Sequence, residues 1–119
     1  MHPNILEAVA YAKSKGIQRI ALSTNGANSA GFYRLLVNAG VNDFSISLDG
    51  CCADDVDKMA GVSDVFDRVT HNIRMLAKLT YVTVGVVLNE GNIDGVLDTI
   101  RFAHSLGVAD IRIISAAPA

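Results

Sequence analysis

Hydrophobic residues recur along the chain with two alternating periods, one typical of helices and one typical of strands. Apolar positions at helical spacing predict helices over residues 4–15, 29–39, 64–78 and 93–106. Short apolar runs between them, rich in β-branched residues, predict strands over 17–23, 43–48, 80–88 and 110–115. Helix and strand alternate four times, which predicts parallel βα units with the helices outside the sheet. The predicted fold class is therefore α/β, in a single domain over residues 1–119.

The two faces of the predicted sheet differ in polarity. In the first strand, Ile20 and Leu22 lie opposite Ala21 and Ser23, and the later strands repeat this division between large apolar and small polar positions. A sheet with helices on both faces is normally apolar on both. Polar side chains at the carboxyl ends of parallel strands are where (β/α) barrels hold their ligands. The pattern favours a partial (β/α) barrel with a ligand at its strand ends.

The strand ends also admit a simpler interpretation. The first strand runs into STNG and the second into SLDG. Asn-Gly and Asp-Gly are ordinary turn pairs, and a serine or aspartate before a helix is an ordinary cap. The polar strand ends are therefore either turn residues alone or ligand-binding residues.

Composition and charge argue against several functional classes for this protein. The chain has 119 residues, of which 50% are hydrophobic, so it can form a core. Its formal charge of −2 and the absence of a Lys/Arg run argue against nucleic acid as a partner. No apolar run approaches the roughly 20 residues that span a bilayer. No basic and apolar leader is visible, and the two cysteines give no disulfide framework, which predicts a cytoplasmic location.

Candidate metal ligands are few. Cys51 and Cys52 are adjacent and cannot supply three corners of an iron–sulfur cluster. The three histidines are far apart in sequence, at His2, His71 and His104. The acidic loop lacks the glycine and the distal glutamate of an EF-hand, which favours a solvated loop at Asp54, Asp55 and Asp57. We therefore predict no metal ligand within this chain.

Five stretches in order carry a resemblance to a known family: HPNILEAVAYAKSKGIQRIALSTNG, GVNDFSISLDG, FDRVTHNIRMLAKL, VTVGVVLNEGN and FAHSLGVADIRII. The chain resembles the radical S-adenosylmethionine (SAM) superfamily over essentially its whole length. Its activating, sulfatase-maturing and molybdenum-cofactor subgroups are equally similar.

The resemblance implies a partial (β/α)6 barrel that binds SAM and a 4Fe–4S cluster. In such enzymes the cluster delivers an electron to SAM, and the 5′-deoxyadenosyl radical that forms abstracts hydrogen from a substrate. The family's C-x3-C-x2-C motif and its Gly-Gly-Glu-Pro motif are both missing from this sequence. The chain is therefore expected to begin after the second barrel strand and to lack the cluster ligands.

The resemblance also implies a set of SAM-binding residues. Ser23, Thr24 and Asn25 match the family's third-strand end, near the methionine moiety. Ser47 and Asp49 match the fourth-strand end, near the ribose hydroxyls. The adenine region is matched by Val87, Asn89 and the backbone around Ser115. No catalytic residue is expected in this chain.

Alone, this chain is expected to be catalytically silent and to form a homo-oligomer through exposed sheet edges. Its substrate, a protein or a small molecule, is not indicated. Two alternatives stay open: a self-contained α/β binding or regulatory module, with helices on both faces, and a fragment of another barrel such as an aldolase-type lyase. The second needs a lysine at a strand end, and the four lysines fall in predicted helices or loops at Lys13, Lys15, Lys58 and Lys78.

Overall fold

The computed structural model describes residues 4–48, 63–88, 91 and 93–115. Helices and strands alternate over these residues, as the sequence predicts. The helices are α1 (Ile5–Ser14), α2 (Ala30–Ala39), α3 (Ser63–Leu79) and α4 (Ile93–Ser105). The strands are β1 (Ala21–Thr24), β2 (Asp43–Ser47), β3 (Tyr81–Leu88) and β4 (Asp110–Ser115).

The strands form one parallel sheet in the order β1-β2-β3-β4. Leu22 pairs with Phe44, Phe44 with Val82, and Val84 with Ile111. Because all strands run the same way, all four carboxyl ends lie at the same end of the sheet, perpendicular to its edge strands. The prediction of a parallel α/β fold with four strands and four helices is confirmed, and the open sheet is consistent with a partial (β/α) barrel.

The first strand is shorter than predicted, since it begins at Ala21 and not at residue 17. The segment before it is held by Asn42, through a backbone bond from Asn42 N to Ile20 O at 3.0 Å and two side-chain bonds. Asn42 accepts from Ile20 N through Oδ1 at 2.9 Å and donates from Nδ2 to Gln18 O. These side-chain bonds satisfy backbone groups that a longer strand would pair.

The hydrophobic core lies on one face of the sheet. Its strand residues come from alternate positions, and each of them is almost fully buried: Phe44, Ile46, Val82, Val84 and Val86. All four helices contribute residues that pack against this face, including Val9, Leu36, Ile73 and Ala103. The alternative of a module with helices on both faces does not match this arrangement. No described helix is long and apolar enough to cross a membrane.

Candidate functional site

The face opposite the core, called the open face below, carries mostly small or polar side chains. Its members alternate with the core positions: Ala21, Ser23, Asp43, Ser45, Ser47, Tyr81, Thr83, Gly85, Val87, Asp110, Arg112 and Ile114. Ser23 and Ser47 are exposed near the carboxyl ends of their strands. Ser23 pairs with Ser45, two positions before Ser47, so strand spacing and rise place the two Cα atoms roughly 8 Å apart. Both hydroxyls can therefore meet one small ligand.

A gap in the open face lies beside Ser47. Gly85 pairs with Ser47 across the sheet. A Cβ atom placed on Gly85 would lie 3.6 Å from Ile114 Cδ1 and 4.0 Å from Ser47 Oγ. These are ordinary van der Waals distances, so the space could hold a methyl group and is left open by glycine. Gly85 thus makes a shallow recess between a hydroxyl and an aliphatic side chain.

The β1–α2 loop, residues 25–29, follows the first strand end and is held by its own polar groups. Asn25 Oδ1 accepts from Ala27 N at 3.0 Å, and the Asn25 side chain is exposed, so its Nδ2 group is accessible to an acceptor. Gly26 has φ of +77°, a conformation that favours glycine. A Cβ atom placed on Gly26 would lie 3.0 Å from Ile46 Cγ2 and 3.2 Å from Val69 Cγ1. The loop geometry therefore depends on Asn25 and Gly26 together.

Thr24 belongs to the opposite face from Ser23, because it pairs with Ile46 of the core. Its Oγ1 lies 2.9 Å from the hydroxyl of Tyr33, which is fully buried in α2. The same Tyr33 hydroxyl accepts from Asn28 N at 3.2 Å. Thr24 and Tyr33 thus hold the loop from the core side of the sheet. Tyr33 was not predicted from the sequence as part of this site.

The remaining predicted site residues are divided among both faces and the undescribed segments. Val87 is on the open face, half-buried, and pairs with Ile114. Ser115 pairs with Leu88 and is on the core side of the sheet, although it is exposed. Asp49 and Asn89 lie outside the described residues. The structure therefore brings Ser23, Asn25, Ser47 and Val87 to one edge and adds Gly85 to them.

The amino-terminal end of the open face is occupied by an ion pair. Arg19 Nη1 lies 3.2 Å from Asp43 Oδ2, and the Arg19 guanidinium is 5.6 Å from the Tyr81 ring centre. Asp43 is mostly buried, whereas Arg19 is largely exposed. These groups neutralise and contact one another, so the carboxyl ends of the strands are the more available part of the open face.

A separate groove of about 590 Å³ lies between α2 and α3, on the outer surface of the helices. Its lining is cationic and apolar, and comprises Arg34, Val37, Asn38, His71, Arg74, Met75, Lys78 and Leu79. No strand residue contributes to it. The groove therefore does not share the chemistry of the strand ends, and its large volume reflects the gap between two helices.

Metal ligands do not converge in the part of the chain that the structure describes. No group of three or more His, Cys, Asp or Glu side chains occurs there. His71 and His104 are exposed on α3 and α4. The cysteine pair and the acidic loop, residues 51–57, lie outside the described residues. The described residues thus do not fit a 4Fe–4S cluster, which is held by cysteine thiolates.

One core-packed face and one open, polar-ended face define an α/β protein of the (β/α)-barrel type, with its candidate site at the carboxyl ends of parallel strands. The profile of the Radical SAM superfamily matches residues 1–103. The chain belongs to the Radical SAM superfamily, which confirms the resemblance found in the sequence.

Curated relatives agree with this membership. The AdoMet-dependent heme synthase of Methanosarcina barkeri is 26% identical over 98% of this chain and 34% of its own length. The probable GTP 3′,8-cyclase of Saccharolobus solfataricus is 30% identical over 97% of this chain and 38% of its own length. A probable GTP 3′,8-cyclase of Saccharolobus islandicus is 29% identical over the same shares. The chain thus spans little more than a third of the length of the curated relatives that it matches.

Proposed function

We propose that these residues form the SAM-binding part of a radical SAM enzyme, whose hydrogen-abstraction chemistry belongs to a longer polypeptide. The observation that carries the proposal is that Ser23 and Ser47 share the open face near the carboxyl ends of their strands, where Gly85 pairs with Ser47 and Asn25 directly follows β1. Superfamily membership indicates SAM as the ligand. The open face is the surface of the sheet that the described helices leave accessible to it.

The donor set fits the chemistry of SAM. The Nδ2 group of Asn25 would donate to the carboxylate of the methionine moiety, and the Ser23 hydroxyl would bond the same moiety. Ser47, with Asp49 beyond the described residues, would bond the ribose hydroxyls, for which a carboxylate is a strong acceptor. The adenine would lie against aliphatic surface at Val87 and Ile114, near Asn89 and the Ser115 backbone. Thr24 would act through the loop that it supports.

The 4Fe–4S cluster is a different matter, because the described residues offer no ligand set for it. The sequence has two cysteines, and they are adjacent. We propose that the cluster ligands belong to another part of the polypeptide, and that this chain alone does not cleave SAM. No role in the reaction is assigned to the cysteine pair.

The direct test is SAM titration by isothermal calorimetry on the unsubstituted protein and on a Ser47→Ala variant. Loss of one hydrogen bond to a ligand hydroxyl should weaken SAM binding about tenfold. Ser105→Ala is a matched control, because Ser105 is an exposed serine of α4 whose hydroxyl bonds its own helix at Phe102 O. The control should bind SAM like the unsubstituted protein. No SAM binding by the unsubstituted protein, or equal binding by S47A, would contradict the proposal.

A further inference from the structure

Helix α3 reaches the β1–α2 loop through Arg68 and Asn72, two side chains that lie one helical turn apart. Asn72 Nδ2 donates to Gly26 O and to Asn28 O, at 2.8 Å each. Arg68 Nη1 donates to Ala27 O at 3.2 Å. Three consecutive carbonyls of the loop are therefore held by one helix.

The N–H groups of the same three loop residues are held from the other side. Gly26 N donates to Thr24 Oγ1 at 3.3 Å, Ala27 N to Asn25 Oδ1, and Asn28 N to the Tyr33 hydroxyl. The loop backbone thus has partners on both its N–H and its C=O sides. Because the Asn25 oxygen accepts a hydrogen bond within the loop, the direction of the Asn25 amide follows from how the loop is held.

Asn72 lowers the stability of the fold at its position. Its side chain is fully buried, and its Oδ1 atom has no hydrogen-bond partner. An unpaired buried polar atom lowers the free energy of unfolding. Its neighbours along α3 are buried core residues, namely Val69, Ile73 and Leu76. Core packing alone would favour a leucine here, so the value of the amide lies in its two donated hydrogens.

We propose that Asn72, assisted by Arg68, is a positioning residue for the SAM-binding edge. By holding the Gly26 and Asn28 carbonyls, Asn72 fixes the loop that directs the Asn25 amide toward an acceptor oxygen of the ligand. Asn72 itself does not touch the ligand. This inference rests on the proposed function for its ligand, although the hold on the loop can be measured without any ligand.

The test compares Asn72→Leu, Arg68→Met and Arg68→Lys with Thr70→Val as a matched control. Thr70 is a buried polar residue of the same helix, but its hydroxyl donates to Asp67 O within α3, at 3.0 Å, and not to the loop. Hydrogen–deuterium exchange followed by mass spectrometry reports on peptides that span residues 25–29. Calorimetric titration with SAM, well below the melting temperature of each variant, reports on binding.

We expect N72L to speed exchange in the loop and to weaken SAM binding about tenfold, the effect of losing an ordinary hydrogen bond or more. R68M should have a smaller effect of about threefold, because Arg68 is exposed. R68K should restore most of the binding, since lysine keeps a donor. T70V should leave loop exchange and SAM binding unchanged.

Several results would overturn the inference. Loop exchange equal to that of the unsubstituted protein in both N72L and R68M would show that α3 does not hold the loop. Faster loop exchange with unchanged SAM affinity would remove the positioning role. If N72L does not fold, the R68M and R68K pair decides by the same criteria. If the unsubstituted protein binds no SAM, the proposed function fails, and loop exchange alone still decides whether α3 holds the loop.

Discussion

Gly85 has the smallest side chain on the open face, and its neighbours leave space for one methyl group. It lies in the central part of β3, between Ser47 and Arg112 in the register of the sheet. Its φ is not positive, so an alanine there has no conformational penalty. The residue is therefore explained by the space that it leaves and not by the backbone conformation that it adopts.

Replacing Gly85 by alanine separates ligand binding from stability. The new methyl group would sit at ordinary contact distance from Ile114, so the protein should gain about 0.4–1 kcal/mol of unfolding free energy from reduced chain entropy. The same methyl group would fill the recess, and SAM binding should weaken about tenfold, equivalent to about 1.4 kcal/mol. Thermal unfolding and SAM titration measure the two effects.

Gly95→Ala is the control for this substitution. Gly95 lies in α4, and no atom lies within 4 Å of its Cβ position. This variant should also gain stability, by roughly 0.5–1 kcal/mol for a helical glycine, without a change in SAM affinity. Equal SAM binding by G85A and G95A would show that the recess is not used by the ligand.

Two predicted site residues show the limit of inference at this scale. Alternation from Ser23 puts Thr24 on the core side, whereas the family motif puts it among the SAM ligands, and the structure follows the alternation. Ser115 is on the core side for the same reason. The two-residue alternation of side chains along a strand was sufficient to assign residues to the core face or the open face. The contact of Thr24 with the Tyr33 hydroxyl was not predictable, because it depends on how α2 crosses the sheet.

At the scale of elements, the sequence predicted which segments are helices and strands, and most bounds agree within a few residues. Hydrophobic periodicity and glycines after helices were enough for this. The sequence did not predict the late start of β1, because the side chain of Asn42 takes over part of the backbone pairing there. Nor did it predict that α3 holds the β1–α2 loop, since that depends on contacts between distant segments.

Helix α2 is bounded by two residues with distinct roles. Ser29 Oγ accepts from Phe32 N at its start, and Gly40 ends it with φ of +133°. Gly40 N and Val41 N both donate to Leu36 O, so the chain turns directly into β2. A side chain at Gly40 would be strained in this conformation and would lie 2.8 Å from Lys13 Cδ of α1.

Gly40→Ala should therefore lower the free energy of unfolding by at least about 1 kcal/mol. Gly31→Ala in the same helix is the control, because nothing lies within 4 Å of its Cβ position. That variant should raise the free energy of unfolding by roughly 0.5–1 kcal/mol. Urea unfolding midpoints compare them. A G40A protein as stable as G31A would contradict the conformational argument.

At the scale of the whole molecule, the sheet formed by the described residues ends at β1 on one side and at β4 on the other. Strand β4 is exposed on both of its faces, with Ile113 54% and Ile114 44% accessible. Unpaired edge strands and exposed apolar side chains are templates for pairing with another chain. In the longer relatives, more polypeptide accompanies the matching region, which spans 34–38% of their length.

We accordingly expect the 119-residue chain, prepared by itself, to self-associate through its exposed sheet edges at tens of micromolar, roughly the range used for such measurements. Ile113→Lys should shift the population toward monomer, because a charged side chain at an edge opposes pairing. Leu97→Lys is the control, since Leu97 is a similarly exposed apolar residue that belongs to α4 and not to a strand. Sedimentation velocity distinguishes these cases. A monomeric unsubstituted chain would refute the expectation.

The hydrogen bond from Asn72 to Gly26 joins residues 46 positions apart, and this separation imposes an order on biosynthesis. A ribosome releases β1 and its loop well before Asn72 has been translated. Bringing residues so far apart in sequence into contact costs conformational entropy. The β1–α2 loop of the nascent protein therefore lacks its Asn72 partner until α3 emerges and docks. Under the role proposed for this loop, a polypeptide that terminates before α3 would hold SAM more weakly than the full chain.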